Sequence, residues 1–137
     1  MTGVDIEPSA IKIANKHYSG PTYICGDIMD APWSGFYEWG VSFETVEHIC
    51  YPLEFLKRMR ASCGNLILST PNEEVYPFNP EKFKGDSYPH LRHYTPKELD
   101  HLVADAGFEV LERFCQPQKV SDVTPGTKGF FMVYVCR

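Results

Sequence analysis

No run in the sequence approaches the roughly 18 apolar residues that a membrane span needs, so none of it reads as one. Basic charge is also short. Thirteen Lys and Arg stand against 18 Asp and Glu, a net charge of −5. That disfavours a nucleic-acid face driven by bulk electrostatics, although Lys57, Arg58 and Arg60 form a local basic group. No CxxC pair occurs. Cys25, Cys50, Cys63, Cys115 and Cys136 are odd in number and widely scattered. They read as reduced, mostly buried thiols of a cytoplasmic protein rather than a disulfide framework. The N-terminus lacks a basic region followed by an apolar stretch, so no signal peptide is expected. Internal repeats and low-complexity tracts are absent. Glycine is scarce at the start, with Gly3 alone ahead of Gly20. What is present suffices for a core: 137 residues, 43% hydrophobic and 14% aromatic. A single domain over 1–137 is expected.

The order of elements is legible in the punctuation. "GVDI" is a short apolar strand ending at an acid. Pro8 then opens a helix at a position where its missing N–H costs nothing. Ala10, Ile13, Ala14 and His17 share one face of that helix. "TYICGDI" and "WGVSF" are further strands. Pro52 starts a second helix, with Leu53, Leu56 and Met59 inward. "GNLILSTPN" has the continuous apolar run of a strand buried on both faces. An irregular stretch from Pro71 to Pro89 follows, long enough to suggest a functional loop. "TPKELDHLVADAGF" is the clearest helix, with Thr95 and Glu98 as a capping box and Gly107 past its end. "FEVLERF" and "GFFMVYV" close the chain as strands. Strands alternating with helices predict an α/β domain with a mostly parallel sheet and an antiparallel end.

Ligands of such sheets bind beyond the carboxyl ends of the strands. The residues there are Asp5, Asp27, Phe43 to His48, and Thr70 to Asn72. Asp5 has the chemistry to accept two hydrogen bonds from a ribose diol, or to cap the next helix. Asp27 suits an adenine amino group, or a turn. If a helical turn starts after Phe43, Glu44, Glu47 and His48 fall on one face of it. Two carboxylates and an imidazole suit Mg2+ or Mn2+, or line a polar pocket without metal. His90 and His93 lie in "PHLRHY". His90 suits a fourth ligand or a general base, or sits on the surface. Tyr76, Phe78 and Tyr88 either stack on a ligand ring or pack the loop.

Taken in order, "TGVDIEPSAIKIA", "YICGDIMDAPW", "VSFETVEHI", "NLILSTPN" and "HLRHYTPKELDHLVADAGFEV" resemble class I S-adenosylmethionine-dependent methyltransferases, including the UbiG-like type. The resemblance covers nearly the whole chain. It implies a Rossmann-like methyltransferase sheet with S-adenosyl-L-methionine as cofactor. Asp5 would bind the ribose, Ile6 would pack on adenine, Asp27 would meet its amino group, and Ile28 would line that pocket. Phe43 would sit beside the methionine portion. Two metal-using branches share the Glu44, Glu47 and His48 pattern: the UbiG-like enzymes and the small-RNA 2′-O-methyltransferases. His90 would match a further metal ligand of the latter. The implied activity is O-methylation of a small-molecule or sugar hydroxyl, with His48 and His90 as catalytic residues.

The same resemblance implies a sheet of order 3-2-1-4-5-7-6 whose first strand, with its glycine-rich loop, precedes the segment that opens this chain. Three arrangements follow for a chain without that strand. "GVDI" pairs directly with "GVSF", a second chain supplies a strand, or the N-terminal strand is poorly ordered. Activity of the truncated chain is therefore in question. The alternative is an inactive methyltransferase-fold module that binds a homo-oligomeric or strand-donating partner through an open sheet edge.

Overall fold

A computed structural model describes residues 1–31, 35–118 and 122–137. Pro32, Trp33 and Ser34, within and beside the motif that ends "DAPW", lie outside the described residues, as does the middle of the 116–128 connection. The chain divides into two compact units, Met1–Gly35 and Phe36–Arg137.

In the first unit, β1 (Thr2–Asp5) pairs in parallel with β2 (Thr22–Cys25), in register from Thr2 with Thr22 to Asp5 with Cys25. Helix α1 (Pro8–His17) makes the crossover. Glu7 caps it, its carboxylate accepting the Ser9 N–H at 3.1 Å. The expected apolar face of α1 is only partly realised. Ala10 and Ala14 are half-buried, but Ile13 is 59% exposed and no residue of the helix is fully buried. A two-stranded sheet is too narrow to cover a helix stripe. β2 is also shorter than "TYICGDI". The Gly26 N–H returns to the Asp5 carbonyl at 2.9 Å, and the next residues turn around Asp27.

In the second unit, β3 (Tyr37–Phe43) pairs in parallel with β4 (Cys63–Pro71) through the crossover helix α2 (Pro52–Ser62). Helix α3 (Pro96–Asp105) leads to β5 (Val110–Gln116). A two-residue β6 (Thr124–Pro125) precedes β7 (Phe131–Cys136). The sheet order is β3-β4-β7-β5-β6. β7 runs antiparallel to both β4 and β5, so β3, β4 and β5 share a direction and β7 is the reversed C-terminal strand between them. The short β6 also runs antiparallel to β5, so three of the five strands share a direction, as an α/β sheet with an antiparallel end requires.

The core follows the apolar pattern. Leu66 and Leu68 of β4, Met132 and Tyr134 of β7, Leu99 and Val103 of α3, and Phe55 and Leu56 of α2 are essentially inaccessible. Phe55 was not in the stripe read from the sequence, whereas Leu53 and Met59 are only half-buried. The capping box of α3 is present, with Thr95 and Glu98 bonding each other's backbone N–H. Cys63, Cys115 and Cys136 are buried, while Cys25 and Cys50 are exposed. Arg60 is not part of an open basic patch: its guanidinium donates to the Gly107 and Cys63 carbonyls. Among the described residues, no helix is long and apolar enough to cross a membrane.

Gly129 is required by close packing. A Cβ there would collide with the Gln116 carbonyl oxygen and meet Cys115 Cβ at 2.9 Å. Backbone cannot swing aside as a side-chain tip can. Gly129→Ala is expected to destabilise the fold by about 1–3 kcal/mol, the usual range for overpacking, as measured by urea denaturation. An unchanged midpoint would contradict this packing.

Candidate active site

The C-terminal ends of β3 and β4 lie side by side, because Phe43 pairs with Ser69. Past Phe43 the backbone bends sharply, with Glu44 at φ 48°, a left-handed conformation that non-glycine residues seldom adopt. The expected helical turn therefore does not start there. A single 3-10 turn forms later, at Val46–His48. Glu44 is off that turn, so the three residues do not share one helical face.

The turn still gathers a site. Glu47 is wholly buried. Its Oε2 accepts the Thr70 hydroxyl at 3.1 Å, while no donor faces Oε1 among the described residues. The neighbouring Glu44 carboxyl can satisfy that oxygen only by sharing a proton. Burial, and then the charge of Glu44, push the Glu47 pKa up to about 8. Glu44 accepts the Ser69 hydroxyl at 2.7 Å. The two hydroxyls after the apolar run of β4 thus hold the two carboxyls.

The loop from Pro71 to Pro89 brings the histidines to this turn. His48 Nδ1 lies 3.1 Å from the Pro89 carbonyl, and the Leu91 N–H donates to the Glu47 carbonyl at 2.8 Å. These two bonds tie residues 89–91 to the turn. Glu47, His48 and His90 offer ligand atoms all within 4.8 Å of one another. The rings of His48 and His90 meet edge-on at 4.6 Å, and Phe83 stacks on His90 at 4.1 Å. Burial, with His48 and His93 nearby, lowers the His90 pKa to about 4, so the ring is neutral. Within the loop, Tyr76 and Phe78 pack against His93, while Tyr88 is exposed. Asn72 is a structural clamp, with its side-chain amide donating to the Thr127 and Gly129 carbonyls.

Sequence reasoning passed over Ser69 and His93. The first is hidden in an apolar run. The second is three residues from His90, and that spacing was the available signal.

The remaining candidates are placed as follows. Asp5, at the end of β1, is exposed, and its Oδ1 accepts the Glu7 N–H at 2.8 Å. Ile6 beside it is 45% exposed. Asp27 is exposed and its Oδ1 accepts the Met29 N–H at 2.8 Å, with Ile28 half-buried between them. Both acids thus make the turn-capping bond. Phe43, at the tip of β3, is 57% exposed.

A SAM-dependent methyltransferase from Thermotoga maritima has a similar structure, at 23% identity and a TM-score of 0.80, over 98% of this chain and 71% of that one. A chain from the complex of the Haloferax volcanii Trm112 methyltransferase activator with a methyltransferase gives a TM-score of 0.78 at 17% identity, covering 98% and 69%. The magnesium protoporphyrin IX methyltransferase of Synechocystis, solved with bound SAH, gives 0.68 at 14%, covering 98% and 62%. At these identities the likeness establishes the fold. None of the curated proteins matches the chain. A family model described as a methyltransferase domain matches residues 1–113. The protein therefore belongs to the methyltransferase-domain family and carries the class I S-adenosylmethionine-dependent methyltransferase fold.

Proposed function

We propose that this chain supports transfer of the methyl group of S-adenosyl-L-methionine to a hydroxyl of a small molecule or sugar, with Glu47, His48 and His90 on the acceptor side. The observation that carries this reading is the convergence of one donor-less buried carboxylate oxygen and two imidazoles at the strand ends. In such a transfer the acceptor oxygen bonds to the methyl carbon, the carbon–sulfur bond breaks, and the hydroxyl proton goes to a base. His48 or His90 takes that proton. Asp5, Ile6, Asp27 and Ile28 hold the adenosine portion, and Phe43 the methionine portion.

The same cluster suits a divalent cation. Glu47 brings an oxygen that lacks a donor, and each imidazole brings a nitrogen. Glu44 stands beside this set, held by Ser69. Oxygen with nitrogen suits Mg2+ or Mn2+, and a bound ion lowers the pKa of a hydroxyl.

One observation favours a second reading. β3 is an edge strand of its sheet, and Trp39, Val41 and Phe43, alternate residues on one face, are 46%, 55% and 57% exposed. On this reading the chain is a catalytically inactive module that binds a strand-donating partner or a second copy there. The Haloferax complex, with its activator, offers a parallel among proteins of this fold.

Incubation with methyl-labelled cofactor, hydroxyl and amine acceptors, and either Mn2+ or a chelator separates these. The first reading expects labelled methyl ethers, formed faster with Mn2+. Labelled amines alone would contradict it. No label in any product, together with a concentration-dependent rise in mass, would favour the second.

A further inference from the structure

His93 lies outside the cluster of Glu47, His48 and His90, yet it decides what His90 can do. Its side chain is fully buried. His93 Nδ1 is 2.6 Å from the Tyr76 backbone carbonyl. A carbonyl only accepts, so this nitrogen carries the proton. In a neutral imidazole the other nitrogen is then an acceptor. That acceptor, His93 Nε2, faces His90 Nδ1 at 2.9 Å. His90 Nδ1 must therefore donate, which leaves His90 Nε2 with its lone pair. Full burial disfavours a charged His93, and only one proton fits between nitrogens 2.9 Å apart. The one carboxylate facing His93, Glu73, is 3.9 Å from Nδ1 and accepts the Phe78 N–H instead.

We propose that His93 is a positioning residue: a relay from the Tyr76 carbonyl through His93 fixes His90 in the tautomer whose bare Nε2 is available to an acceptor proton or a cation. His48 reaches the same tautomer directly, its Nδ1 donating to the Pro89 carbonyl. Both imidazoles then arrive as acceptors, one held by a carbonyl and the other by a second ring. Phe83, stacked within 11° of coplanarity, fixes the plane of His90, but a stack cannot choose between its nitrogens. This inference rests on the reading of His90 as a site residue.

Nitrogen-15 NMR of the histidine-labelled native chain tests the relay without any ligand. The expected result is a protonated Nδ1 and a bare Nε2 for His48, His90 and His93. A proton on His90 Nε2 would overturn the proposal. Co2+ titration of folded variants supplies the second arm. The amide oxygen of His93→Gln can still accept the His90 Nδ1–H, whereas His93→Leu cannot. Co2+ affinity is expected to fall about 10-fold or more in the leucine variant and clearly less in the glutamine variant. Equal losses would count against the relay. A native chain that binds no Co2+ while His90 keeps its Nδ1–H would uphold the relay and remove the metal reading.

Discussion

Glu47→Gln is expected to flatten the pH dependence of stability between about pH 6.5 and 8, and to weaken divalent-ion binding. The direction follows from linkage. Folding raises the Glu47 pKa to about 8, from an ordinary value near 4.5. The folded chain keeps a proton that the unfolded chain releases. The stabilisation is complete below the unfolded value and is lost as pH rises toward 8, at about 1.4 kcal/mol per pH unit. His90, lowered to about 4, acts in the opposite sense, losing stability as pH falls below its ordinary 6.5. Above pH 6.5 its contribution is constant, so the slope there reports the coupled carboxyls of Glu47 and Glu44, both raised by burial. A neutral amide has no proton to lose. Urea midpoints should therefore fall with pH in the native chain and stay level in the variant. Parallel slopes would contradict the burial of Glu47 as a protonated acid. Mn2+ must displace that proton, so ion binding releases it. Removing the carboxylate should weaken Mn2+ binding by about 10-fold or more. Unchanged Mn2+ affinity would remove Glu47 from the site.

Asp5→Ala is expected to weaken SAH binding by about 10- to 150-fold, because hydrogen bonds to a charged group contribute about 1.5–3 kcal/mol. Asp5 also caps the turn through the Glu7 N–H, so alanine alone confounds two roles. Asp5→Asn separates them, since its amide oxygen keeps the cap and loses the charge. Ligand-detected NMR should rank affinity as native, then asparagine, then alanine. An asparagine variant that binds as well as native would leave Asp5 a cap only.

The fold was legible because its punctuation is local. Pro8, Pro52 and Pro96 each open a helix at its first residue, and Thr95 with Glu98 closes the capping box. Apolar runs fixed β4 and β7. The misplaced details are those decided by tertiary context. Ile13 lies at helical spacing, but a two-stranded sheet offers nothing to bury it. Glu44, Glu47 and His48 have the spacing of a helical face. The left-handed Glu44 breaks that face, and neither composition nor period signals such a bend. The cluster survives because the loop, not the helix, completes it. Residues 89–91 are tied to the turn by the His48 ring on the Pro89 carbonyl and by the Leu91 N–H on the Glu47 carbonyl, bonds that join residues about 40 positions apart. No local pattern reports such pairings.

The proposed function requires Asp5, Ile6, Asp27 and Ile28 to hold the adenosine portion of the cofactor. Titration of the isotope-labelled chain with SAH, followed by backbone amide shifts, tests it most directly. Saturable shifts are expected at Asp5, Ile6, Asp27 and Ile28. Shifts confined to other residues, or none at about 1 mM SAH, would contradict it.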